Sequence, residues 1–221
     1  MKKNVIITGA TGMTGSLVLQ ECLSSSEIEK ATSIARHPSG ITHEKLTEII
    51  HNDFTDFSTI EAYFKNQDIA YYCIGVYSGT VPREEFSKIT VDFTKAFAEK
   101  LKKHNPAATF CFLSGQGADQ SEKSHIMFAR DKGIAENFLI NQKFGQTYIF
   151  RPAYIYPVSP RKEPNVGYRI TRALYPVLKR IYPKGVITSK ELAHAIFNTG
   201  LKGGNKTIIE NQDIKRISLL M

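Results

Sequence analysis

Residues 4–15 read NVIITGATGMTG, and the order of residue types in that stretch decides the architecture. Val5, Ile6 and Ile7 form an apolar run without alternation, as in a parallel strand covered on both faces. The run breaks at Gly9, Gly12 and Gly15, and from Met13 to about Ser24 the apolar residues take up helical spacing. Each glycine has its own task in such a turn. Gly9 ends the strand where a residue without a Cβ is favoured, Gly12 lets the backbone approach a pyrophosphate, and Gly15 lets the new helix pack closely on the sheet. The helix N-terminus then faces the phosphates with unsatisfied N–H groups and the positive end of its dipole. A Walker-type phosphate loop is excluded, because position 14 is Thr and no Lys precedes Ser16.

Working outward, a second strand at Ala31–Ala35 completes a βαβ unit. Further strands are expected at Leu46–Ile50, Ile69–Ile74, Thr109–Leu113 and Thr147–Arg151, with helices near 57–66, 84–104 and 128–142. Six strands alternating with helices predict an α/β fold, a doubly wound parallel sheet in the order 3-2-1-4-5-6. After Arg151 comes a loop rich in Pro and Tyr, then an amphipathic stretch from about Val166 to Tyr182 interrupted by Pro176. Residues 152–188 are read as a lid or substrate-side insertion in one domain spanning 1–221. A last helix around Ser189–Leu201 and a short strand near Thr207–Glu210 close the pattern.

Apolar residues make up 42% and charged residues 23% of the 221, the balance of a globular chain with a core. No run approaches the roughly 18 apolar residues of a membrane span. The apolar run after Lys2 and Lys3 is too short for a signal peptide, so a cytoplasmic location is expected. Cys22, Cys73 and Cys111 lie apart within apolar segments and read as core residues, and the six histidines lack metal-ligand spacing, so no metal is expected. The net charge of +8 is concentrated: residues 161–190 hold eight Lys or Arg and one acid, Glu163. A basic patch of this kind is most often a solvated helix face, and no nucleic-acid recognition motif accompanies it.

Selection between cofactors falls at the end of the second strand, where an NAD-selective site places an acid about 20 residues past the glycines. Here stands Arg36, and no Asp or Glu occurs between Lys30 and Glu44. Arg36, with His37 and Lys45 nearby, suits a 2′-phosphate, so NADP(H) is expected in preference to NAD(H). Asp53 has two readings: acceptor for an adenine amino group, or cap for the helix near Phe57.

The chain resembles the atypical short-chain dehydrogenase/reductases, in particular the group around HIV Tat-interactive protein 2 and bacterial nucleoside-diphosphate-sugar epimerase-like proteins. The resemblance runs through TGATGMTG, SIARHP, HNDFTDF, YYCIG, FLSGQGAD, DKGIAEN and IFRPAYIY, which covers most of the chain. It implies a Rossmann fold and hydride transfer with a nicotinamide, using a Tyr proton donor, a Lys four residues later and a Ser that orients the substrate. Ser114 and Lys132 match the Ser and the Lys, but the Tyr position is Phe128, which has no exchangeable proton. Candidate substitute donors are His125, Tyr154 and Tyr77, though the first reads more readily as a helix-start residue and the two tyrosines as pocket lining. The implied cofactor set is Gly9, Thr11, Gly12, Met13, Thr14 and Gly15, then Arg36, Asp53 and Phe54, then Cys73, Ile74 and Gly75, and finally Lys132, Arg151 and Pro152.

Two functions follow: an NADP(H)-dependent oxidoreductase of a small carbonyl or sugar-like substrate, or a catalytically silent NADP(H)-binding sensor that meets a regulatory protein partner. Nucleic-acid or membrane-surface binding through residues 161–190 ranks third. The expected assembly is a monomer or a homodimer.

Overall fold

The computed structural model describes residues 1–77, 79–159 and 166–219. In chain order β1 (Lys3–Thr8), α1 (Gly15–Ser24), β2 (Ile28–Ala35), β3 (Leu46–Ile50) and β4 (Ile69–Tyr72) form the first half. Then come α2 (Arg83–Ser87), α3 (Phe93–His104), β5 (Thr109–Leu113), α4 (Met127–Asn141) and β6 (Gln146–Arg151). The last part holds β7 (Tyr154–Tyr156), α5 (Val166–Ala173), α6 (Tyr175–Ile181), β8 (Val186–Thr188), α7 (Ser189–Lys202), β9 (Ile208–Glu210) and α8 (Asn211–Leu219). Seven strands pair in the order β3-β2-β1-β4-β5-β6-β9, all parallel, and β7 and β8 make a separate parallel pair. This is the doubly wound Rossmann order, extended by one edge strand.

Alternation along each strand divides the core between two faces. Val5 and Ile7 pack with Val18, Leu19 and Cys22 of α1 and with Leu192 and Ile196 of α7. Ile6 faces the other way, among Phe57, Phe64, Phe97, Leu101, Phe110 and Phe112. Both layers are fully buried, which is why the VIIT run carries no polar alternation.

Several expectations are corrected. The helix near 57–66 is a short 3-10 helix, Ser58–Phe64, broken at Ile60 where φ is −120°. The stretch 84–104 is two helices joined through a π-helical turn at Lys88–Asp92. β2 begins at Ile28, and β4 ends at Tyr72, two residues short of Ile74. The amphipathic stretch breaks at Leu174, ahead of Pro176, which sits in the first turn of α6 where its missing N–H costs no helical bond. β7, β8 and α8 lay outside the sequence reading. Of the basic segment, Arg161 and Lys162, with Glu163, fall outside the described residues.

Candidate functional site

The glycine turn is a packing requirement as much as a binding one. Gly9 has φ +73°, and a Cβ there would lie 2.6 Å from the Cys73 carbonyl oxygen. At Gly15 a Cβ would come within 2.2 Å of the Gly9 carbonyl oxygen, so α1 can start only this close to β1 because position 15 has no side chain. Gly12 N–H donates to Gly9 O at 2.9 Å and closes the turn.

Two cavities open along the C-terminal ends of β1, β2, β4, β5 and β6, where sheets of this kind bind ligands. The smaller, of about 170 Å³, is lined by Gly9, Thr11, Arg36, His37 and Phe54, with Ile89 and Phe93 delivered by the π-helical turn and α3. The larger, of about 630 Å³, includes Met13, Thr14, Ser114, Phe128, Lys132 and Pro152 in its wall, together with Tyr77 and Tyr154. Gly12, Cys73, Ile74, Gly75 and Val76 belong to both walls, so the two form one groove running past the glycine turn.

Under the larger cavity lies a charge network that the sequence reading lacked. Glu136 of α4 is fully buried and accepts hydrogen bonds from Ser114 Oγ at 2.5 Å, Arg151 Nε at 3.0 Å and Gln120 Nε2 at 3.1 Å. Arg151 also donates to Glu210 at 3.2 Å. A buried carboxylate held by a guanidinium fork and a hydroxyl is a satisfied group. Ser114 therefore spends its proton on Glu136 and turns only lone pairs to the cavity. Lys132, one helical turn before Glu136, is 4% exposed; its Nζ donates to Leu113 O at 3.1 Å and lies 4.8 Å from the Phe112 ring centroid. Burial pulls the Lys132 ammonium down to about 8, with Glu136 opposing. Cys73 faces both cavities, but burial pushes its thiol up to about 12, so it stays protonated and unreactive.

Some expected site residues go elsewhere. His125 is exposed and lies outside both cavity walls: Ile126 after it is extended at φ −79° and ψ 113°, so His125 precedes α4 and is not on its face. Asp53 is exposed and accepts from Thr55 N and Thr55 Oγ1, capping a local turn, while its neighbour Phe54 enters the cavity wall. Arg151 turns to Glu136 and Glu210 and leaves the cavity wall to Pro152. Phe128 puts its ring tip where a side chain at 115 would begin, since a Cβ on Gly115 would lie 2.5 Å from Phe128 Cζ. Glu136 could have been found from DKGIAEN, because the i, i+4 spacing puts it on the Lys132 face. Ile89, Phe93 and Val76 carried no signal. Among the described residues no cluster of His, Cys, Asp or Glu could hold a metal, and no helix is long and apolar enough to cross a membrane.

Known proteins carry the same outline. Protein HTATIP2 of Rattus norvegicus is 26% identical over 218 residues, covering 96% of this chain and 88% of that protein. The UDP-N-acetylglucosamine 4-epimerase of Methanobrevibacter ruminantium, solved with UDP-N-acetylmuramic acid, superposes with a TM-score of 0.69 at 23% identity, over 95% of this chain and 76% of its own. The Bordetella bronchiseptica enzyme WbmH, solved with NAD+, gives 0.68 at 16% identity, over 94% and 74%. At these identities the two structures attest the fold. Residues 9–199, from the first glycine of the turn through most of α7, match the NAD(P)H-binding family, and the chain belongs to that family.

Proposed function

We propose that the chain binds NADP(H) along this groove, with Arg36 at the ribose phosphate, and uses it to reduce a small carbonyl or sugar-like substrate. What carries the reading is the continuity of the groove from Arg36, past the glycine turn, to a cavity walled by Lys132, Tyr77 and Tyr154. The glycine cradle fits a pyrophosphate, because its backbone is kept bare of Cβ atoms by packing it cannot escape. When bound, NADPH supplies the hydride. Lys132 holds a ribose hydroxyl with its remaining N–H groups, and Ser114 accepts a hydrogen bond from the ligand, its own proton being held by Glu136. Tyr154, fixed on β7 by pairing with Val186, gives its phenolic proton to the alkoxide in place of the absent tyrosine at 128. The expected location remains the cytoplasm.

A second reading, a catalytically silent NADP(H)-binding regulator, is favoured by the Phe128 ring at the usual acid position and by the committed Ser114 proton. The test is NADPH oxidation against aldehydes, quinones and nucleotide sugars. Turnover that falls by about 10²-fold or more in Tyr154→Phe, with NADPH-induced thermal stabilisation intact, supports the reductase. Turnover unchanged in Tyr154→Phe removes Tyr154 from the mechanism. Activity present only in Phe128→Tyr supports the silent reading.

A further inference from the structure

Between residues 166 and 190 the chain holds six cations, Arg169, Arg172, Lys179, Arg180, Lys184 and Lys190, and no Asp or Glu. In the same segment Ile170, Leu174, Val177 and Ile181 are exposed at 55%, 49%, 54% and 72%, and Tyr182, next in the chain, is exposed too. Their spacing of four, three and four residues is that of a single line along an α-helix. The break at Leu174 does not scatter that line, because Leu174 N–H still donates to Ile170 O at 2.9 Å and Leu178 N–H to Leu174 O at 2.9 Å. Other exposed large apolar side chains, such as Ile50, Tyr63 and Ile126, are far apart in the sequence; here they form a row.

The helices are held so that this row faces out. Tyr175 stacks on Tyr156 of β7 with ring centroids 3.8 Å apart, the Arg172 guanidinium lies 5.9 Å from the same Tyr156 ring, and Gly167 and Thr171 line the larger cavity. The four residues of the row stay exposed while these neighbours make the contacts. Arg169, Lys179, Arg180 and Lys184 of the same segment are exposed as well, with Arg169 and Arg180 each next in sequence to a residue of the row.

We infer that the outer face of α5 and α6 is a docking surface for an anionic lipid bilayer. An apolar row flanked by cations, in a segment without Asp or Glu from 166 to 190, matches an interface that is hydrocarbon within and negative at its surface. The row sinks into the headgroup boundary while the long Arg and Lys side chains reach the phosphates. A nucleic acid would use the cations and leave the apolar row in water.

Co-sedimentation of the full chain with phosphatidylcholine vesicles, with and without phosphatidylglycerol, tests this. The chain should partition about tenfold or more better onto the anionic vesicles, less so as salt rises. Leu174→Glu/Val177→Glu and, separately, Arg169→Glu/Arg180→Glu should each lose about tenfold or more, with thermal midpoints unchanged because all four side chains are exposed. No partition onto anionic vesicles overturns the inference, as does partition that survives Leu174→Glu/Val177→Glu. A dimer in sedimentation velocity that the same substitution dissolves also overturns it, the row then being a contact between two copies of the chain.

Discussion

At the Arg36 end of the groove the glycine turn is set by carbonyl contacts that leave no room for a Cβ at 9 or 15, with Phe54, Ile89 and Phe93 completing the wall. At the Lys132 end it is side chains, with Phe128, Tyr77 and Tyr154 around a buried ammonium and a carboxylate network beneath. The first end depends on what cannot fit, since a Cβ at Gly9 or Gly15 would meet main chain. The second is specified by which side chain meets which, and single exchanges such as Tyr to Phe at 128 leave the wall standing while changing what it can do. On the proposed function, binding and chemistry are thus separable along the groove, and the following substitutions press on that separation.

The largest effect is expected from Gly15→Val, whose Cβ would strike the Gly9 carbonyl and force α1 off β1. It should cost about 3 kcal/mol or more of stability and abolish any thermal shift with NADPH, read by calorimetry. A variant that stays stable and still responds to NADPH would show that the backbone end is not rigid. Next comes Arg36→Ala. Loss of a charge-assisted contact to a 2′-phosphate should bring a preference for NADPH over NADH down by about 10-fold or more, measured by titration calorimetry. An unchanged ratio would remove Arg36 from cofactor selection.

A third effect, confined to alkaline pH, concerns Lys132. Its ammonium gives up its proton near 8 in the folded chain, whereas an unfolded lysine keeps it to about 10.4. Between those values the unfolded chain binds the extra proton, so this group makes stability rise with pH. Lys132→Met should flatten that rise, by on the order of 2 kcal/mol between about pH 8 and 9.5 in denaturant titrations, and should weaken NADPH binding at neutral pH. A rise of equal size in the variant would place the titrating group elsewhere.

The Arg36 end was legible because its constraints are local. NVIITGATGMTG carries strand, turn and helix start within twelve residues, and β1, β4 and β5 follow from uninterrupted apolar runs. The strands β7 and β8, three residues each, are too short to show a period and depend on pairing across thirty residues of chain. The π-helical turn that brings Ile89 to the cavity leaves no mark in a pattern of period 3.6. At the Lys132 end the decisive facts join distant segments. Arg151 reads as a strand-end residue at a cofactor wall, and its turn toward Glu136 depends on a helix fifteen residues earlier. His125 failed for a geometric reason: proximity in number counts only where the helix has already begun.

The contact between Phe128 and Gly115 also restricts how this site can change over generations. A methyl at 115 would push the ring tip from its place, and a smaller residue at 128 would leave the space over Gly115 unfilled. The effects of substituting the two should therefore be non-additive, and neither position is free to drift without regard to the other. A lineage that carries an aromatic ring here inherits a glycine across the cavity along with it.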